Sequence, residues 1–168
     1  HPPLQEALLA HLPAHRGIKA KPQQILIVPT AQAGIALVAA ALLEPGDHAW
    51  AESPGYGGAY VAFKAAGAIV STMPLDEQGM TIGSRKDAPR VIFVTPSHQY
   101  PTGRLMPIGR RLELLRYAEA VGACIIEDDY DGEFHYEARP VAALQGLAPS
   151  PRIFYLGTFS KATYADIR

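Results

Sequence analysis

Apolar residues open the chain at helical spacing. Leu4, Ala7, Leu8 and Leu12 recur every three or four positions, Pro2-Pro3 suits a first turn and Gly17 closes the run, so the pattern predicts a helix. Ile25-Leu26-Ile27-Val28 is short, unbroken and rich in β-branched residues, which predicts a buried strand. Pro29-Thr30 turns the chain into residues 31–43, dominated by alanine and leucine, a second helix. Pro45-Gly46-Asp47 is turn chemistry. Residues 48–52 read as a strand broken by Ser53-Pro54-Gly55, residues 57–66 as a helix ended by Gly67, and residues 68–72 as a strand. A polar connection over 74–86 turns at Asp76-Glu77-Gln78-Gly79. Residues 90–94 read as a strand, 95–103 as a loop with two prolines, and 108–121 as an amphipathic helix burying Leu112, Leu115 and Ala118. Residues 123–126 form an apolar strand ending in Glu127, Asp128 and Asp129, residues 131–149 read as mostly irregular, and residues 152–155 as the last strand.

Strands and helices alternate with short turns. The predicted fold class is therefore α/β: a three-layer sandwich with a mixed, mostly parallel sheet between helices. Ligands in such sheets sit beyond the strand ends, where the polar residues of this chain gather. The 168 residues suffice for one domain with a core. With 48% hydrophobic and 18% charged residues the chain reads as globular, and a net charge of −1 gives no footprint for a polyanion. The single cysteine, Cys124, excludes an internal disulfide framework and suits a reducing, cytoplasmic setting. The longest apolar run, over 34–43, is too short to cross a bilayer. The chain starts at His1 and stops at Arg168, so it is expected to be an internal piece of a longer protein.

Candidate chemistry centres on Gly157-Thr158-Phe159-Ser160-Lys161, which follows the last strand. An amine among small and hydroxylated neighbours, held in a pocket where desolvation lowers its pKa, can capture the pyridoxal phosphate aldehyde as a Schiff base. Asp128, at the end of a buried strand, can keep a pyridine nitrogen protonated. Tyr130, two residues on, lies on the same side of an extended segment and can reach the ring oxygen. Thr30, Ala31 and Gln32 stand at a strand-to-helix junction, where a helix cap and an anion site need the same geometry. Thr158 and Arg168 can complete a phosphate grip. Tyr56, in Ser53-Pro54-Gly55-Tyr56-Gly57-Gly58, has room among glycines to stack on a flat ring. His98 lies in a loop without further ligands at metal-binding spacing, so no metal is expected.

Six stretches carry a resemblance, in order and across nearly the whole chain. They are Pro29-Thr30-Ala31-Gln32-Ala33, Glu44-Pro45-Gly46-Asp47, Ser53-Pro54-Gly55-Tyr56, Val94-Thr95-Pro96-Ser97-His98-Gln99-Tyr100-Pro101-Thr102-Gly103, Ile126-Glu127-Asp128-Asp129-Tyr130-Asp131-Gly132-Glu133-Phe134 and Gly157-Thr158-Phe159-Ser160-Lys161. Together they resemble the large domain of fold-type I pyridoxal phosphate enzymes, the aspartate aminotransferase superfamily. They look closest to the effector domain of MocR-type transcription regulators, a branch of the GntR regulators. Tyr100 before Pro101-Thr102-Gly103, where ordinary aminotransferases carry asparagine, and the single residue between Asp128 and Tyr130 both favour the regulator branch.

The resemblance implies pyridoxal 5'-phosphate as cofactor. Lys161 would attach it, Asp128 would meet the pyridine nitrogen and Tyr130 the ring oxygen. Tyr56 would stack on the ring, and Thr30, Ala31, Gln32, Thr158 and Arg168 would hold the phosphate. It also implies that residues 1–168 are a partial class I/II aminotransferase large domain, without the small domain and without a winged helix. DNA would be bound only through that missing N-terminal domain, an amine or amino acid would be the sensed partner, and the parent would be a homodimer. A true class I/II aminotransferase and a cofactor-free α/β binding domain are the alternative readings.

Overall fold

The computed structural model describes residues 2–83, 87–134, 141–148, 150 and 152–161. Among these residues five helices and six strands follow in chain order: α1 (Pro2–Arg16), α2 (Ala31–Leu42), β1 (His48–Ser53), α3 (Gly57–Ala65), β2 (Ile69–Asp76), β3 (Gly79–Met80), β4 (Val91–Val94), α4 (Ile108–Val121), β5 (Cys124–Asp129), α5 (Leu144–Leu147) and β6 (Ile153–Gly157). A single 3-10 turn, Pro22–Gln24, lies between α1 and α2.

The strands form one sheet in the order β3-β2-β1-β4-β5-β6. All neighbours run parallel except β2 and β3. Both faces are covered, which explains why the central strands are continuously apolar rather than alternating. Successive side chains point to opposite faces. Ala49, Val91, Phe93 and Ile126 pack under Ile35 and Ala39 of α2 and Ala59 and Phe63 of α3. Trp50, Ile92, Val94 and Ile125 face Leu114 and Ala118 of α4 and Leu144 of α5. The three-layer, mostly parallel architecture expected from the sequence is the one observed. Among the described residues no helix is long and apolar enough to cross a membrane.

Four expectations differ. Residues 25–28 lie outside the sheet, and Leu26 is 69% exposed rather than buried. A β-branched run becomes a strand only with a partner for its backbone, and a cavity of about 600 Å³, lined by Ile25, Leu26 and Val28 together with Ile153, Phe154 and Leu156, lies beside this run. Second, β2 continues through Pro74 to Asp76 and pairs antiparallel with β3 across Glu77 and Gln78, so the polar connection starts with a hairpin. Gly79 has φ +101°, open to glycine at that turn. Third, α4 buries Arg111, Leu114 and Ala118 and leaves Leu112 exposed. The Arg111 guanidinium takes the inward position because it finds acceptors there: Nε donates to Met106 O at 2.9 Å, Nη2 to Pro96 O at 2.7 Å and Nη1 to Ala142 O at 3.1 Å. Its charge stands 3.7 Å from Glu127 Oε1, as a buried cation requires. Fourth, Glu127, Asp128 and Asp129 belong to β5, and all three are buried.

Candidate functional site

Strand order reverses at β1, which lies between β2 and β4. In a parallel sheet the crevice beyond such a reversal is where ligands sit. The turn into α3 leaves β1 there and carries Tyr56; the loop after β4 carries Tyr100. Tyr130 follows β5 directly, and Lys161 lies four residues past Gly157, which pairs with Asp129 across the β5–β6 ladder.

Three tyrosines line this edge. The Tyr56 ring meets Tyr100 edge-on, with centroids 6.1 Å apart and planes at 88°. Tyr100 meets Tyr130 the same way, at 6.1 Å and 87°. Phe93 lies 6.3 Å behind Tyr56. Edge-to-face pairing sets positive ring edges against negative faces. Gly58 leaves space that the Tyr56 ring needs. A Cβ at Gly58 would come within 2.4 Å of the ring.

Asp128 is buried, and burial pushes its carboxyl up to about 7. The charges acting on it, from Asp129, Asp131 and Glu52, are all negative and push the same way. Among the described residues it therefore lacks the cation that Glu127 finds in Arg111 and that Asp129 finds in Arg16, at 2.8 Å. Tyr130 is pushed up to about 12, by burial first and by Asp131 and Asp128 next, so its phenol keeps its proton at neutral pH.

The start of α2 forms the other end of the site. Thr30 Oγ1 accepts from Ala33 N at 3.0 Å and Thr30 O accepts from Gly34 N at 3.1 Å. Helix geometry leaves the N–H groups of Ala31 and Gln32 without intrahelical acceptors, at the positive end of the helix dipole. The Gln32 side chain turns away to Tyr56 and Gly58. α2 packs close on β6: a Cβ at Gly34 would lie 3.0 Å from Leu156. Thr30 lies one turn above Gly34, and Thr158 two residues beyond Leu156, both toward the carboxyl edge. Thr158 Oγ1 bonds Ser160 Oγ at 3.0 Å and accepts from Ser160 N at 3.2 Å, which curls the loop before Lys161.

Lys161 is exposed. The enclosing pocket expected around its amine is not formed by the described residues. Arg168 lies outside the described residues. His98 is half-buried with Nδ1 2.9 Å from Asp131 Oδ2.

Sequence reasoning missed Glu52. Its carboxyl is buried at the end of β1, where Oε2 accepts from Thr95 Oγ1 at 2.6 Å, Thr95 N at 3.1 Å and Gln99 Nε2 at 3.3 Å. Burial outweighs these bonds and pushes it up to about 6. Gln99 in turn bonds Pro54 O and Thr102, so Glu52 anchors the base of the Tyr100 loop. An acid closing an apolar strand was the available signal, as it was for Asp128. Arg16, which forms an ion pair with Asp129, and Tyr155, which donates a hydrogen bond to it, gave no sequence signal.

The donor set fits a ligand with two unlike ends. A buried carboxyl with only negative neighbours suits a basic ring N–H, and free helix N–H groups suit an anion. Fold and donor set thus describe an α/β domain whose strand-end edge suits a flat ring carrying an anionic group. Aminotransferase class I and II is the family model that matches, over residues 1–165. The chain belongs to that family.

It is 41% identical over 169 aligned residues to the "Probable rhizopine catabolism regulatory protein MocR" of Rhizobium meliloti, covering 100% of this chain and 34% of the relative. It is 37% identical to the "HTH-type pyridoxine biosynthesis transcriptional regulator PdxR" of Corynebacterium glutamicum, covering 89% and 33%. Among solved structures it is similar to LysN, the alpha-aminoadipate aminotransferase of Thermus thermophilus complexed with N-(5'-phosphopyridoxyl)-L-leucine. That match has a TM-score of 0.85 and 30% identity, over 96% of this chain and 42% of LysN. The chain thus spans about a third of the length of the curated relatives it matches.

Proposed function

We propose that this chain is the pyridoxal phosphate-binding, aminotransferase-like effector domain of a MocR-type transcription regulator that senses the cofactor, or an amine or amino acid, at Lys161. The observation that carries this reading is the 41% identity with MocR along the whole chain. The full-length protein would act in the cytoplasm as a homodimer and bind DNA through a separate N-terminal region. Residues 1–168 would form part of its class I/II aminotransferase large domain.

When bound, pyridoxal phosphate supplies an aldehyde that an amine can capture and a protonated ring that draws off electron density. Lys161 would supply the attaching amine. Asp128 would hold the proton at the ring nitrogen; its buried carboxyl, raised to about 7 without a cation, becomes a stable carboxylate once a positive N–H faces it. Tyr130, protonated at neutral pH, would donate to the ring oxygen. The N–H groups of Ala31 and Gln32 and the Thr158 hydroxyl would hold the phosphate, with Arg168 as the further cation. Tyr56 would cover one ring face.

The test uses the full-length protein with pyridoxal phosphate. Borohydride reduction followed by peptide mapping is expected to place the label on Lys161 and to lose it in Lys161→Ala. A label on another residue would sink the assignment. The 30% identity and close fold match with LysN favour a second reading, a true class I/II aminotransferase. Transfer of an amino group to 2-oxoglutarate by the full-length protein would support it, whereas an amine-dependent change in DNA affinity without transfer supports the regulator.

A further inference from the structure

We propose that Gln32 is a positioning residue whose side chain fixes the plane of the Tyr56 ring; the inference rests on the cofactor reading above and assigns this amide to the ring rather than to the phosphate. At the second position of α2 the side chain could turn toward the anion end or away from it. It turns away. Nε2 donates to Gly58 O at 3.0 Å, and Oε1 accepts from the Tyr56 hydroxyl at 3.1 Å. A carbonyl can only accept, so Gly58 fixes which end of the amide faces it and leaves the oxygen for Tyr56. One amide thus holds two residues of the same turn, on either side of Gly57.

The neighbouring residues complete the setting. Phe93 and Tyr100 meet the Tyr56 ring from two other directions, at 33° and 88° to its plane. A Cβ at Gly58 would lie 2.1 Å from Gln32 Oε1 and 2.4 Å from Tyr56 Cε1. Glycine at position 58 is therefore what lets amide and phenol meet. Tyr100 passes the contact on to Tyr130. The start of α2, the turn at the strand reversal and the end of β5 are joined through one path of side chains. Gln32 offers an anion its backbone N–H alone, while its side chain sets the ring.

The full-length protein tests this with Gln32→Leu, Tyr56→Phe, the double variant and Gly58→Ala. In the cofactor-free protein Tyr56→Phe is expected to lower Tm by about 2–4 °C, the loss of one neutral hydrogen bond, and Gln32→Leu by up to about twice that, since it also loses the bond to Gly58 O. The double variant should fall no further than the worse single one, because both remove the same bond. With pyridoxal phosphate added, the near-visible circular dichroism of the bound ring reads its setting. Gln32→Leu, Tyr56→Phe and Gly58→Ala should alter that band alike and weaken binding roughly three- to ten-fold. Additive melting losses overturn the inference, and so does a wild-type band unchanged by Gln32→Leu. A wild type without any such band overturns the cofactor reading and the inference with it, and is told apart by its own silence.

Discussion

Asp128 is the residue on which the site turns, and without a ligand it is a cost. Its folded pKa of about 7 lies above the ordinary 3.8, so the folded protein keeps a proton that the unfolded chain releases. Stability from this group is therefore full below about pH 4 and is lost as pH rises toward about 7. Asp128→Asn should flatten that loss and raise the stability of the cofactor-free protein at pH 8 by about 2–4 kcal/mol. Denaturant melts at pH 5 and pH 8 would show it. Some slope should persist, because Glu52 and Glu127 are raised with the same sign. The same substitution should weaken pyridoxal phosphate binding roughly 100-fold, having removed the buried partner of a charged ring. Asp128 could be picked from sequence because it closes an apolar strand. Glu52 closes one too, but Ser53-Pro54-Gly55 beside it reads as plain turn chemistry. Its role depends on Thr95 and Gln99, which lie about forty residues away in the chain and meet it only after folding.

At the level of elements, α1 to α4 were legible because their signals are local: spacing, alanine content, and glycine or proline at the ends. β1, β4, β5 and β6 were legible as short apolar runs between turns. What failed depended on partners. Residues 25–28 have strand composition, and among the described residues no strand pairs with them. The β2–β3 hairpin hid in a polar stretch because its buried side chains, Met73 and Met80, are spaced out among Pro74, Asp76, Glu77 and Gln78. The inward face of α4 was misjudged because a buried arginine reads as polar in any periodic pattern. Arg111 ties α4 to the loop after β4, to β5 and to residue 142 ahead of α5. Arg111→Met should cost about 3–5 kcal/mol, since it strands the Glu127 charge among apolar neighbours. Measured by urea unfolding, a loss under about 1 kcal/mol would show that these carbonyls and Glu127 find other partners.

Across the whole molecule, the two edges of the sheet differ. Among the described residues β6 pairs only with β5, and this flank borders the apolar cavity shared with Ile25, Leu26, Val28 and Leu37 of α2. An unpaired edge beside apolar side chains invites association. The 168-residue chain should therefore bind the dye ANS and self-associate with concentration. Leu37→Lys, at an exposed position on the cavity rim, should lower dye fluorescence severalfold while leaving Tm within about 2 °C; unchanged fluorescence would place the sticky surface elsewhere. The first helix touches this same flank. His11 stacks on His15 at 4.1 Å, pairs with Glu133 at 3.0 Å and meets the Phe159 ring at 5.6 Å. Phe159 stands two residues before Lys161, and Arg16 anchors the far end of that helix to Asp129. Anchored through Arg16 on the acid strand and seated through His11 on Phe159, this helix acts as a brace for the loop that carries Lys161.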